Sequence, residues 1–426
     1  MSPFRTGENI AQMEIVVVAI GSAGDVHPFM GIAIQLQQRG HAVTVLANAS
    51  FEQDVRSAGL RFHPVGDPDA YGRAVDDPVL WDAKKGVQVL WRGVCEPAVR
   101  PTYEFILRKA ASTTCVVLAS PMAFGARLAH ETLGVRLITG YLAPQNIRTC
   151  HGALRIAGST IPAWVPQWCR RMLWRQIDLR VLDPLVCPSL NEYRHELGLD
   201  PVHRVFDDWY HKTDLSITLF PEWFAARQPD WPANLKAGNF PLFDTASTDE
   251  LPAELEAFLG RGERPVVFMP GSAMRHAQDF FQTSMEACAE LGYRAIFLTQ
   301  FREQIPAILP PSVRHFAYVP FSQLLRRTAG LVHHGGIGTC AQALRAGVPQ
   351  LIMPMAYDQF DNAARAKMLG VSDTMSPSSY KNPLVSRRLH ALLNSESVRL
   401  KCQEVAQQFG APNTTDKVCQ FVEALA

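Results

Sequence analysis

The chain has 426 residues, 47% hydrophobic and 19% charged, an ordinary composition for a folded protein with room for two cores. Its 41 basic and 40 acidic residues leave a formal charge of +1, so no overall field recruits nucleic acid or an anionic membrane. Nine scattered cysteines without a CxxC pair read as reduced thiols of a cytoplasmic protein. No apolar run approaches the ~20 residues of a spanning helix, and a signal peptide is not expected.

In chain order, EIVVVAIG (14–21) is a continuous β-branched run. GDVHPFMGIAIQLQQRG (24–40) follows as an amphipathic helix, and HAVTVLAN (41–48) as the next strand. Apolar strand, short loop, helix, strand is the βαβ pattern of a buried parallel sheet. TCVVLAS (114–120) and VRLITGY (135–141) extend that sheet. The segment IPAWVPQWCRRMLWRQIDLRVL (161–182) interrupts it, with three tryptophans among basic residues. It reads as a helical excursion over the core, with a pocket wall or a membrane-surface face as the alternatives. PEWFAARQPDWPANLKAGNFPLFD (221–244) has no useful periodicity and reads as a linker. PVVFMPGS, YRAIFLTQ, AGLVHHGG and VPQLIMP then repeat the strand–helix grammar. The expected architecture is α/β, two doubly wound Rossmann-like domains facing across a cleft. The boundaries are 1–225 for the first domain, 226–245 for the linker and 246–405 for the second, with a C-terminal helix in 406–426 returning to the first.

LVHHGGIGTC (331–340) places two histidines and three glycines where a strand ends and a helix begins. Adjacent histidines on an extended backbone point to opposite faces, and no further His/Cys pair lies nearby at ligand spacing, so zinc is not expected. Bare amides at the start of a helix closed by Gly347 suit a phosphate, and a merely tight turn is the plainer alternative. AYDQFDN (356–362) then presents Asp358 and Gln359 at the carboxyl end of a strand, the mixture of acceptors and donors that sugar hydroxyls need. Asp67 and Asp69 in GDPDA resemble a metal pair but sit in a Pro-rich turn, and read as a loop.

HHGGIGT followed by GVPQLIMP and YDQFDN resembles the nucleotide-sugar signature of the GT-B glycosyltransferases, the clan of plant, macrolide and vancomycin-type enzymes. AIGSAGDVHPF, DDPVLWD, LFPEWFA, DWP, FPLFD and YDQFDNA resemble in particular the rhamnosyltransferase B chains of rhamnolipid synthesis. The resemblance implies that His333 hydrogen-bonds the donor diphosphate with Gly338, Thr339 and Ser272, while His334 points inward. It implies that Tyr318 stacks on the base, that Val319 reads it through its backbone, and that Asp358 and Gln359 hold the sugar. Ala341 stands where many relatives carry a ribose-binding glutamate, which favours dTDP over UDP, although Gln342 could substitute in part. Asp25 is the expected base, His27 the second candidate, and helix capping the structural alternative for Asp25. Backside displacement implies inversion at the sugar carbon.

The donor implied is dTDP-rhamnose, or UDP-glucose in the alternative reading, as substrate rather than cofactor, and no metal is implied. The implied acceptor is a 3-(3-hydroxyalkanoyloxy)alkanoate lipid in a pocket of Trp81, Trp91, Phe124, Trp164 and Trp168, with a flavonoid, macrolide or sterol as alternatives. Peripheral contact with the inner face of the membrane and an acyl-chain-synthesising partner enzyme are further expectations, and nucleic acid is not. A nicotinamide enzyme, a sugar-nucleotide epimerase and a non-catalytic donor- or lipid-binding subunit are the rivals. GSAG is not the GxGxxG of the first, and retention of Asp25, His333, Asp358 and Gln359 argues against the last.

Overall fold

The structure, a computed structural model, describes residues 12–244, 251–410 and 415–425. The first sheet has seven strands: β1 (Glu14–Val18), β2 (Ala42–Ala47), β3 (Arg61–Pro64), β4 (Cys115–Ala119), β5 (Arg136–Tyr141), β8 (Leu215–Thr218) and β9 (Leu235–Ala237). A small antiparallel hairpin, β6 (Leu154–Ile156) and β7 (Ser159–Ile161), stands apart from it. The second sheet has six: β10 (Val266–Met269), β11 (Ala295–Leu298), β12 (Val313–Phe316), β13 (Gly330–His333), β14 (Gln350–Ile352) and β15 (Ser372–Thr374).

Both main sheets are parallel, with helices between their strands. That is why β1 and β4 are buried almost throughout: covered on both faces, they alternate nothing. The first sheet runs β3-β2-β1-β4-β5-β8-β9 and the second β12-β11-β10-β13-β14-β15. Strand order therefore reverses between β1 and β4 in one sheet and between β10 and β13 in the other. In doubly wound sheets the ligand crevice opens beyond the carboxyl ends of strands at such a reversal. The loops following β1, β4, β10 and β13 all line one cleft.

The linker boundary needs correcting. Leu235–Ala237 lies inside the expected 226–245 but pairs parallel with β8, Ile217 opposite Lys236, as the edge strand of the first sheet. Three residues are too few to show a periodicity. Arg227 instead fixes this piece, its guanidinium donating to the carbonyls of Leu235 and Pro232 at 2.7 and 2.8 Å. The helix Asp416–Glu423 lies on the helix Ala23–Gln38. Arg39 reaches Asp416 and Glu423 at 2.8 and 2.9 Å, so the far end of the chain is pinned to the first domain.

Candidate active site

The cleft between the two sheets has a volume of about 730 Å³, within the range of small-ligand sites. Its two walls differ in chemistry because different sequence patterns built them.

The second-domain wall is glycine, amide and hydroxyl. β13 ends at His333, and the helix Ile337–Ala346 begins after Gly336. Gly335 has φ +92°, and a Cβ there would press on Ile352 and the Gln359 carbonyl, so only glycine lets the chain turn here. The amides of the first helical turn have no acceptor within the helix and open on the cleft with Gly338 and Thr339. Gly271 and Ser272, after β10, line the cleft beside them. His334 joins these two loops: Gly271 and Gly336 both approach its ring so closely that a Cβ on either would touch it. Burial lowers the His334 pKa to about 4, so it faces the cleft as a neutral imidazole, and its buried Nδ1 has no partner within the chain.

Below this cradle lies the loop to the helix Gln359–Met368. The Asp358 carboxylate accepts from Asn362 Nδ2 at 2.7 Å, and the same amide donates to the Gly335 carbonyl at 3.0 Å. Asn362 thus locks the two ligand loops together. Burial raises the Asp358 pKa to about 7, with the negative charge of Asp25 adding to it and the Asn362 bond opposing. Gln359 Oε1 accepts from the Met355 and Ala356 amides at 2.8 and 3.1 Å. Its oxygen is committed to the loop, so its Nε2 is the group left for a ligand. Tyr318 and Val319 line the far end, where the Asp244 carboxylate accepts from the Phe321 and Ser322 amides at 3.2 and 3.1 Å.

The first-domain wall is largely apolar around a half-buried acid. Val75, Leu80, Trp81, Leu90, Val94 and Leu142 form its greasy side. Asp25 occupies the first turn of the helix Ala23–Gln38, and its Oδ2 accepts from the Ser22 amide at 2.8 Å and the Ser22 hydroxyl at 3.1 Å. Gly21, at φ +140°, leaves the space that carboxylate fills. Opposing influences meet on Asp25, and burial outweighs the two Ser22 bonds, raising its pKa. His27 Nε2 lies 3.4 Å from Asp54 Oδ2, and burial outweighs that partner to lower the imidazole's pKa. Asp25 and His27 both line the cleft but use different faces of the helix.

Two family profiles match, one in each half of the chain. Glycosyltransferase family 28 N-terminal domain matches residues 15–150, and Erythromycin biosynthesis protein CIII-like, C-terminal domain, matches residues 284–425. The chain is 26% identical to the O-mycaminosyltylonolide 6-deoxyallosyltransferase of Streptomyces fradiae over 97% of its own length and 98% of that protein's. It is 28% identical to glycosyltransferase GtfE of Amycolatopsis orientalis, covering 84% and 85% of the two chains. The solved structure of the glycotransferase of kitacinnamycin superimposes with a TM-score of 0.74 at 19% identity, over 97% and 99% of the chains. The chain is a GT-B glycosyltransferase that uses a nucleotide-sugar donor.

In this glycosyltransferase the two adjacent histidines exchange the places expected of them. His333 is fully buried and does not line the cleft. Its Nδ1 accepts the Gly335 amide at 3.1 Å, so Nε2 carries the proton and donates to Gln350 Oε1 at 3.0 Å. With both nitrogens used internally it has none left for a ligand, whereas His334 lines the cleft. The apolar wall also differs. Trp81 lines the cleft, but Trp91 and Phe124 are core residues packed edge to face at 5.2 Å, with Phe124 stacked on Trp209 at 5.6 Å. Trp164 and Trp168 are on the outer surface, away from the cleft.

Sequence reasoning missed Asp54, Asp244, Tyr357 and Asn362. Asp54 carries no local motif, whereas Asp244 closes FPLFD and Tyr357 opens YDQFDN. Asn362 sits inside YDQFDN, where its spacing of four from Asp358 on a helix was the available signal. Asp67 Oδ1 accepts from the Asp69 and Ala70 amides at 2.9 and 3.1 Å, capping the helix Pro68–Asp76. Among the described residues, the grouping with metal-ligand spacing is Asp183, Cys187 and His203, outside the cleft, and both Asp183 oxygens already accept the Arg204 amide. All nine cysteines are free.

Proposed function

We propose that this glycosyltransferase moves a 6-deoxyhexose, L-rhamnose from dTDP-L-rhamnose, with inversion onto a hydroxyl of a hydrophobic acceptor, a 3-(3-hydroxyalkanoyloxy)alkanoate. The observation that carries this reading is the asymmetry of the cleft: a polar, glycine-lined wall faces a largely apolar wall that carries the Asp25 carboxylate.

The nucleoside diphosphate rests on the first-turn amides of the helix Ile337–Ala346, with Ser272, the Thr339 hydroxyl and neutral His334 as further donors. These groups stabilise the charge that grows on the departing diphosphate. Tyr318 offers its ring to the base and Val319 its backbone. Asp358 and Gln359 Nε2 hold the sugar, and its hydroxyls restore to Asp358 the hydrogen bonds that burial removed. Asp25 receives the acceptor's proton as its oxygen attacks the anomeric carbon from the side opposite the leaving group. The oxygen not held by Ser22 is the one disposed to do so, and burial raises the basicity of the carboxylate toward that of a working base. His27 with Asp54 is the reserve candidate.

Two observations favour a deoxyribose donor with a 6-deoxy sugar. Ala341 lines the cleft without a carboxylate to grip a ribose 2′-hydroxyl. A full-length relative is itself named a 6-deoxyallosyltransferase, and rhamnose is likewise a 6-deoxyhexose. UDP-glucose with a flavonoid, macrolide or sterol acceptor is the second reading, favoured by the Gln342 amide beside Ala341 in the same wall.

Labelled dTDP-rhamnose and the hydroxy-fatty acid dimer, incubated with the purified protein alone, should give a rhamnosylated lipid. Donor binding without transfer would sink the enzymatic reading of this acceptor. In a parallel thermal-shift panel, dTDP should stabilise the protein more than UDP, and a larger shift with UDP would transfer support to the second reading.

A further inference from the structure

Residues 161–182, between β5 and β8, do not line the cleft, yet they carry some of the most exposed large apolar side chains in the protein. Trp164 is 82% exposed, Trp168 67% and Met172 56%. The third tryptophan shows how the helix Gln167–Ile177 is oriented. Trp174 Nε1 donates to the Thr149 carbonyl at 3.3 Å, and the Arg148 guanidinium covers its ring at 4.6 Å. Arg170, one turn earlier, is buried and donates to the Gly152 carbonyl. Arg170, Trp174 and Ile177 are therefore the inward stripe. Trp168, Arg171, Met172 and Arg175 fall on the opposite face at helical spacing. Exposed Leu179 and Val181 continue the apolar surface beyond the helix end, and Trp164 precedes it.

The charges on this face are of one sign. Arg171, Arg175 and Arg180 are exposed and form no ion pair among the described residues. The acid within residues 157–182 is Asp178, which is fully buried and held by Arg148 at 2.7 Å. The overall charge of +1 conceals this local concentration.

We propose that this face, Trp164 through Val181, docks on the surface of an anionic lipid bilayer. The chemistry selects that occupant. Two tryptophans clear of the protein surface suit the headgroup zone, where an amphipathic ring is at its best, and unpaired arginines complete the attraction to anionic lipid. A second copy of the chain is a poor occupant, because a two-fold contact would bring arginine against arginine. The helix is held along one face by Arg148, Thr149 and Gly152 and is eleven residues long, which permits surface seating and not insertion across the bilayer. The inference stands independently of the donor and acceptor assigned above.

Vesicle co-sedimentation tests it. The full chain should pellet with phosphatidylethanolamine–phosphatidylglycerol vesicles and release as salt is raised, and should stay in solution with pure phosphatidylcholine vesicles. The double variants W164S/W168S and R171Q/R175Q should each lower the bound fraction about tenfold. Unchanged melting temperatures and unchanged thermal shifts with dTDP would show that both variants are folded. Absence of binding to the anionic vesicles would overturn the proposal, as would equal binding to both vesicle types or variants that bind like the parent. A dimer in analytical ultracentrifugation that these same substitutions dissolve would also overturn it, assigning the face to a second copy.

Discussion

Tyr357 donates its phenolic proton to the Leu80 carbonyl at 2.6 Å, and this bond joins the loop before the helix Gln359–Met368 to the apolar wall of the other domain. The tyrosine backbone sits at φ +54°, a conformation costly for any residue with a Cβ, and the ring meets Trp81 edge to face at 6.3 Å. Asp358, the next residue, is thereby tied to the apolar side of the cleft. Tyr357→Phe removes the bond and keeps the ring. Its melting point should fall by the equivalent of about 1 kcal/mol. The KM for the acceptor should rise more than the KM for the donor, which steady-state kinetics with each substrate varied in turn would measure.

Asp25→Asn separates the two roles of that side chain. An amide oxygen can still accept from Ser22, so the helix start survives and the melting temperature should move little. Turnover should fall by roughly 10²- to 10⁴-fold with donor affinity retained. Calorimetric titration of dTDP alongside a rate assay decides it, and an unchanged rate would transfer the role of base to His27.

The histidine pair predicts opposite phenotypes from neighbouring substitutions. His333→Ala leaves buried Gln350 and the Gly335 amide without their partner and should cost about 1–3 kcal/mol of stability. His334→Ala removes a donor from the cleft wall, and should weaken dTDP binding about tenfold while the fold persists. Denaturant melts and nucleotide titrations on both variants would expose a reversed assignment.

Asp358 makes stability depend on pH. In the folded apo enzyme its carboxyl keeps its proton up to about pH 7, whereas unfolded it loses it near 3.8. Between those values the native state binds more protons than the unfolded chain, so this residue lowers stability as pH rises. Asp358→Asn should therefore melt above the parent at pH 8, with the gap closing below pH 4. A gap of constant size across that range would contradict the burial argument.

Much of this protein was legible in its residues. The uninterrupted β-branched runs at β1, β4 and β10 announced parallel sheets covered on both faces. The glycines after β13 announced a helix start with uncovered amides, because those signals are local and each reports its own backbone. Leu235–Ala237 escaped, since a three-residue edge strand carries no period and gains its place from Arg227 and β8.

Side-chain direction was the harder question. The sequence determined that two histidines would stand at the end of β13 on opposite faces, and that a carboxylate would open the first helix. Which histidine faced the cleft depended on Gln350, a residue from the next strand that captured His333 by hydrogen bond. Whether a tryptophan lined the cleft, the core or the surface depended on what packed against it: Phe124 for Trp91, Arg148 for Trp174, mostly solvent for Trp168. Those neighbours are distant in the chain, so only the tertiary structure could choose among them.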